Sequence, residues 1–238
     1  MSHIDIESTT RLTDIFGVKE IPDPNKVVCG IATKPEDREA RLRLVTTVYL
    51  DRKYIEPEDP SITNGLYIDP YEKNSIPLVA KLNGTVVASM RLIRNVHEGL
   101  PINNDGVVIH SPHYKLIITR APFEVSQLAK SYYPEIDPQA NPVLGLIASY
   151  FAIARELKTP IAAGVVDNKV HALLNRLYRF GLPAIGPSIP NYKGSPSTPI
   201  FIDINAVIQS TTANGHPEIG AFLAGERNIP GFEWYVGP

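Results

Sequence analysis

Glu124 is the residue whose surroundings most favour proton chemistry. It lies in the run Phe123-Glu124-Val125-Ser126, which reads as a strand, and alternation turns its carboxylate away from the two apolar neighbours. A carboxylate so placed can accept a proton from a group within hydrogen-bond reach. It can equally be a structural partner of Arg91 or Arg120. Ser126 can donate to a carbonyl or bond within a sheet, and with no base beside it a nucleophilic serine is not expected. Asp69, in GLYIDPYEKNS, precedes a proline, and Asp-Pro is also ordinary turn chemistry. His110 and His113 have ligand-like spacing in VVIHSPHYK but no third ligand nearby and a proline between them, so polar loop residues are expected and no metal. The one cysteine, Cys29, lacks a neighbouring histidine and reads as a small hydrophobe. Trp234, in GFEWYVG, reads as packing, with the wall of a lipid pocket as the alternative.

The elements that must position these groups follow from pattern and punctuation. Residues 1–30 read as an arm with at most one short helix. Thr33 and Glu36 have the spacing of a capping box at a helix start, and the helix runs to about Tyr54 with Ala40, Leu44, Val48 and, further on, Ile55 along its apolar side. EPEDPSITNG reads as a loop. PLVAKLNGTVVASMRLI places two strand-forming runs around Asn83-Gly84, the signature of a hairpin with a type I′ turn. Residues 95–115 look irregular, and Leu116–Thr119 and Phe123–Ala129 read as strands. Asn141-Pro142 caps and opens a second helix to about Leu157, and Pro160–Val166 reads as a buried strand. Asp167 and Asn168 are cap candidates for a third helix, whose Val170, Leu173, Leu174, Leu177 and Phe180 form an apolar stripe ended by Gly181. Ala184–Gly186 and Pro199–Ile204 close the order as strands. This succession predicts an α/β fold with a mixed sheet and helices on both faces.

Composition narrows the class further. A chain of 238 residues is large enough for one domain that buries roughly 70–75% of its extended-chain surface. A hydrophobic content of 43% with 20% charged residues excludes general disorder. The net charge of -2 offers no basic excess for nucleic acid. A single cysteine fits a reducing, cytoplasmic setting. Acids near the N-terminus occupy the place where a signal peptide wants an apolar core, and no run reaches the ~18 apolar residues of a membrane span. The 22 prolines punctuate boundaries and form no run.

Taken in order, VAKLNGTVVASMRLI, FEVSQLA and LLNRLYRFGLPAIGPSIPNYKGSPSTPIFIDI resemble the N-acyl amino acid synthase and acyl-homoserine-lactone synthase group of the GCN5-related N-acyltransferase superfamily, over roughly residues 36–205. Arg91-Leu92 resembles the family's "RL" strand end. Glu124-Val125-Ser126 resembles its Glu-x-Ser-Arg strand. The leucine-rich helix with Gly181, Gly186 and Gly194 before a last strand resembles its closing segment. The sequence departs from the family twice: Gln127 stands where Glu-x-Ser-Arg has its arginine, and Val45 stands where an arginine precedes the aromatic Tyr49 by four residues. Arg41, one turn earlier, is a candidate substitute for the second, and Arg120 for the first.

The resemblance implies a GCN5-related fold in residues 31–205, with a C-terminal extension at 206–238. It implies an enzyme that moves an acyl group from a phosphopantetheine thioester to a small amine, with no tightly bound cofactor. Glu124 is then the expected base and Ser126 an accessory donor, while Asp69, Arg91, Arg120 and Arg41 are expected to bind substrate. The oxyanion would meet a backbone amide where neighbouring strands separate. The connection AKSYYPEIDPQANPVLG has no glycine loop of the kind that cradles a pyrophosphate, and Glu135 and Asp137 would repel one. The expected donor is therefore acyl carrier protein, with acyl-coenzyme A as the alternative. Its docking site is expected at Lys169, Arg176, Arg179 and Lys193, with a solvated helix flank as the alternative. Acyl-homoserine-lactone synthesis, weakened by Gln127 and Val45, and a non-catalytic domain that binds acyl groups or a protein stay open as alternatives.

Overall fold

The computed structural model describes residues 6–20, 23, 25–96, 99–104, 106–131 and 141–238. In chain order its elements are α1 (Ile6–Phe16), β1 (Val27–Ile31), α2 (Pro35–Asp51), β2 (Ile62–Thr63), β3 (Leu66–Tyr67), β4 (Ser75–Leu82), β5 (Thr85–Arg94), α3 (Pro101–Asn104), α4 (Ser111–Arg120), β6 (Phe123–Lys130), α5 (Pro142–Glu156), β7 (Ile161–Asp167), α6 (Asn168–Leu177), β8 (Ile189–Tyr192), β9 (Ser195–Asp203), α7 (Ile204–Ala213), α8 (Pro217–Ala224) and β10 (Tyr235–Val236). Eight of the strands form one mixed sheet in the order β10-β1-β4-β5-β6-β7-β9-β8. Only β1/β10 and β6/β7 run parallel. The larger core, from Leu12 and Phe16 through Phe151 to Leu223, fills one face beneath α1 and α5–α8, while smaller clusters under α2, α3 and α4 cover the other.

Local chemistry explains most of the starts and turns. Asn83 and Gly84 both take positive φ (49° and 76°), as a type I′ hairpin requires. Asn64-Gly65 and Lys193-Gly194 do the same at β2–β3 and β8–β9. The Asn141 side chain accepts from Leu144 N, with Pro142 in the first turn of α5. Asp167 accepts from Lys169 N and Val170 N to start α6.

Several expectations need correction. The capping box at Thr33–Glu36 is not formed: Lys34 is the cap residue, without a side-chain bond, and Pro35 opens the helix. α2 ends at Asp51, and its buried residues are Asp37, Arg41, Val45 and Thr46. It turns charge inward because the sheet answers it, with Lys81 Nζ 2.7 Å from Asp37 Oδ1. Leu116–Thr119 belongs to α4, not to a strand, and α3 lies within the stretch read as irregular. Ala184–Gly186 contributes only an isolated bridge, Ala184 to Ile200. Leu173 and Leu177 are 44% and 50% exposed, because the apolar residues that α6 turns to the core are Val170 and Leu174. Within the stretch read as an arm, β1 pairs along its length with β4 inside the sheet. Of the C-terminal residues, α7 reaches the cavity described below, whereas Trp234 packs in the core beside Phe222, Phe232 and Tyr235.

Candidate active site

The site is built around β6. Phe123 and Val125 join the larger core, and Glu124 turns to the opposite face, where its Oε2 accepts from Ile102 N at 2.7 Å. On one side β6 pairs with β5, but the register skips: Arg91 faces Ser126, whereas Ser89 faces Ala129. The extra residue makes a bulge at Gln127, whose φ is +51°. Bulges bend a strand and are common beside active sites. On the other side the ladder with β7 is limited to Glu124↔Ala163. Beyond that pair the strands part, and among the described residues that edge of β6 has no strand partner.

A cavity of about 180 Å³ opens there. Its apolar chamber is lined by Ile147 and Phe151 of α5, Val170 and Leu174 of α6, Ile202 of β9 and Val207 of α7. Its polar part holds Glu124, Ser126, Gln127, Asp69, Asp167 and Lys193 with Tyr49, Tyr54, Tyr67 and Tyr192. Burial pushes the Tyr49 hydroxyl up to about 12, and raises Tyr67 as well, with Asp69 adding to both. These phenols stay neutral at pH 7.

Behind the polar wall lies a buried charge network. Arg91 donates twice to Asp69, at 2.7 and 2.5 Å, and once to Glu72 at 3.1 Å. Arg41 donates to Gln127 Oε1 at 2.9 Å and pairs with Glu72. Both arginines are fully buried. Burial works to raise the Asp69 pKa, but the Arg91 hydrogen bonds and charge, helped by Lys193, outweigh it and hold the carboxyl below its usual range. Burial pulls Arg41 down against Glu72, yet a guanidinium keeps its charge at any working pH.

The residues singled out from the sequence thus divide. Glu124, Ser126 and Asp69 line the cavity, and Arg91 and Arg41 stand behind it as partners of Asp69, Glu72 and Gln127. Arg120 is exposed at the end of α4 and does not line the cavity. The guanidinium that reaches Gln127 is that of Arg41. Lys169 and Arg176 are exposed on α6 and Arg179 just beyond it. Lys193 is elsewhere, in the β8–β9 turn at the cavity. Glu135 and Asp137 fall outside the described residues. Sequence reading missed Glu72, whose signal was its i+3 spacing from Asp69 across a turn. It also missed the tyrosines, which three different segments supply.

The family model of the N-acyl amino acid synthase FeeM matches residues 40–105, which include Arg41, Asp69, Glu72 and Arg91. No curated protein matches the chain. Among solved structures, the N-acyl amino acid synthase FeeM from uncultured soil microbes is 15% identical with a TM-score of 0.60, covering 79% of this chain and 96% of its own. The CoA-dependent acyl-homoserine lactone synthase BjaI is 17% identical with a TM-score of 0.54, covering 86% and 88%. The acyl-homoserine lactone synthase LasI is 14% identical with a TM-score of 0.54, covering 90% and 98%. The fold is theirs, and with the match over 40–105 the likeness to the N-acyl amino acid synthase group that the sequence suggested supports an N-acyltransferase.

Proposed function

We propose that the protein transfers an acyl chain from acyl carrier protein to the amine of an amino acid-like acceptor. The observation that carries this reading is the parting of β6 and β7 over a largely apolar chamber, with a buried carboxylate and a polar recess at the same opening. The chamber suits an alkyl chain, and the opening suits a pantetheine arm laid between the strands.

In this reading the acceptor enters as an ammonium and loses a proton to Glu124, directly or through one water, since an amine with a pKa near 8 is mostly protonated at pH 7. The free amine attacks the thioester carbonyl. Backbone amides on the unpaired edge of β6 and Ser126 are the donors at hand for the oxyanion. Collapse breaks the C–S bond while the nitrogen gives up its second proton, which the departing thiolate takes to leave as a thiol. The amide remains, and Glu124 returns the first proton to solvent. Asp69, Arg91, Glu72 and Arg41 hold the acceptor wall rigid by mutual pairing. Ile102 N fixes the Glu124 carboxylate.

The carrier protein is supported by α6. On its outer face Lys169, Leu173, Arg176 and Leu177 are exposed at helical spacings of four, seven and eight residues, while Val170 and Leu174 line the chamber within. Exposed leucines among basic residues, backed by the chamber wall, suit an acidic helical partner that delivers a chain. The test is mass spectrometry of lipids from an expressing host, with rates on acyl carrier protein and coenzyme A thioesters. N-acyl amino acids, formed faster from the carrier thioester, are expected. N-acyl lactones, no new lipid, or equal use of the coenzyme A donor would refute the respective part.

A further inference from the structure

We propose that Lys193 receives a carboxylate of the acceptor, so that the site selects amino acids over amines lacking that group. The inference rests on the acyl-transfer reading and names what that reading leaves open: which residue recognises the acceptor.

Lys193 is held in place. With Gly194 it forms the two-residue turn between Tyr192 and Ser195, at φ +47° and +79°. The turn is seated on the end of α2: a Cβ on Gly194 would lie 2.3 Å from Lys53 O and 2.6 Å from Tyr54 Cα. Only glycine allows that approach, so the lysine springs from a fixed point at the cavity. Its ammonium lies 5.8 Å from the Tyr192 ring centroid, and Tyr49, Tyr54 and Tyr67 complete an aromatic wall.

The carboxylates of the recess are already engaged: Glu124 accepts from Ile102 N at 2.7 Å. Asp69 is saturated by Arg91. Asp167 accepts from two amides of α6 and from the Tyr54 hydroxyl at 3.3 Å. Among the described residues no carboxylate lies within ion-pair distance of Lys193. Its field nonetheless crosses the recess, since it helps hold Asp69 ionised. Lys193 is exposed at the cavity, so its ammonium is a solvated cation with which an anion arriving with a ligand can pair. Of the two reactants, the donor brings a neutral thioester and an alkyl chain to the reacting centre. The anion is then the acceptor's own.

The experiment compares kcat/KM for L-amino acids and for their primary amides at saturating acyl thioester, in wild type, Lys193→Met and Lys193→Arg. Wild type should favour the acids by about tenfold, equivalent to about 1.4 kcal/mol. Lys193→Met should erase the preference by raising KM for acids alone, and Lys193→Arg should keep most of it. Equal use of acids and amides by wild type, an equal loss on both in Lys193→Met, or an effect on the donor's KM instead would overturn the proposal while leaving acyl transfer standing. If no amine is acylated at all, the acyl-transfer reading fails, and calorimetric binding of N-dodecanoylglycine against its primary amide decides the lysine by itself. About tenfold weaker binding of the acid alone in Lys193→Met supports the role, and unchanged binding overturns it.

Discussion

Replacing Arg91 by methionine removes the centre of the buried network while keeping much of the side chain's bulk. Asp69, 5% exposed, would retain only its bond from Tyr71 N at 3.1 Å, and Glu72 would keep Arg41 alone. Removing one partner of a buried pair costs about 3–5 kcal/mol, because the other charge stays buried without compensation. That is a large share of the ~5–15 kcal/mol that holds a typical domain folded. At about 2–4 °C per kcal/mol for a chain of this size, the melting temperature should fall by about 6–20 °C. The dependence on pH separates this cause from a mere packing loss. In wild type the Asp69 pKa lies below its unfolded value, so its contribution is present above the ordinary carboxylate range and is lost as pH falls through the depressed folded value. In Arg91→Met burial dominates and the folded pKa rises above the unfolded one, so the variant is penalised at pH 7 and relieved on acidification. Urea unfolding followed by circular dichroism at pH 7 and at about pH 4 should therefore show a gap between the two proteins that narrows in acid. A loss below ~1 kcal/mol, or a gap that does not change with pH, would mean that Asp69 and Arg91 are not a buried ionised pair.

Glu124→Gln should fold with an unchanged circular dichroism spectrum and lose about 10²–10⁴ in kcat, as removal of a general base does; a twofold change would remove Glu124 from the mechanism. Arg176→Glu with Arg179→Glu should raise KM for the acyl carrier protein thioester, and added salt should bring wild type toward the same level, since such exposed charges are screened over about 8–10 Å; the melting temperature should not move. Gln127→Arg, which adds the cation that the resemblance leads one to expect, should lower stability by about 1–3 kcal/mol in urea titrations; a stabilised variant would refute the charge count argued below.

Much of the frame was legible because its signals are local. Asn83-Gly84, Asn141-Pro142 and Asp167 each specify a turn or cap from their own chemistry, and the structure keeps all three. Leu116–Thr119 was misread because Leu, Ile and Thr suit a strand as well as a helix, and a short run cannot show a 3.6-residue period against its flanks. The hairpin at Asn64-Gly65 carried the same signal as Asn83-Gly84, but β2 and β3 are two residues each, too short for alternation to mark them. Lys193-Gly194 lacks the asparagine, and β8 before it is only four residues and partly exposed. Leu173 and Leu177 fit a helical stripe, yet a stripe says only which residues share a side, not whether the fold covers it. The bulge at Gln127 was not legible at all. It exists because β5 and β6 differ by one residue between two paired positions, a relation between strands that neither strand states alone.

The substitutions at residues 45 and 127 are best understood through charge balance in a closed space. On the inner side of α2, Arg41, Val45 and Tyr49 follow one another at four-residue spacing, with Arg41 and Val45 buried, so an arginine can approach β6 from either of two successive turns. Here it does so from residue 41 and bonds the Gln127 carbonyl oxygen. The buried set is then two guanidinium groups, Arg41 and Arg91, against two carboxylates, Asp69 and Glu72, and its sum is zero. An arginine at residue 127 would add a third cation to a network whose two acids are already paired, at a position 5% exposed, where an uncompensated charge is costly. The further buried carboxylate, Glu124, is engaged with Ile102 N. Glutamine supplies the acceptor that Arg41 requires and adds no charge. The missing arginine is therefore tied to the one present in α2, and its absence is no mark of a degenerate site. Lys193, exposed at the cavity, stands outside this buried balance, and the proposed acceptor carboxylate would be its partner.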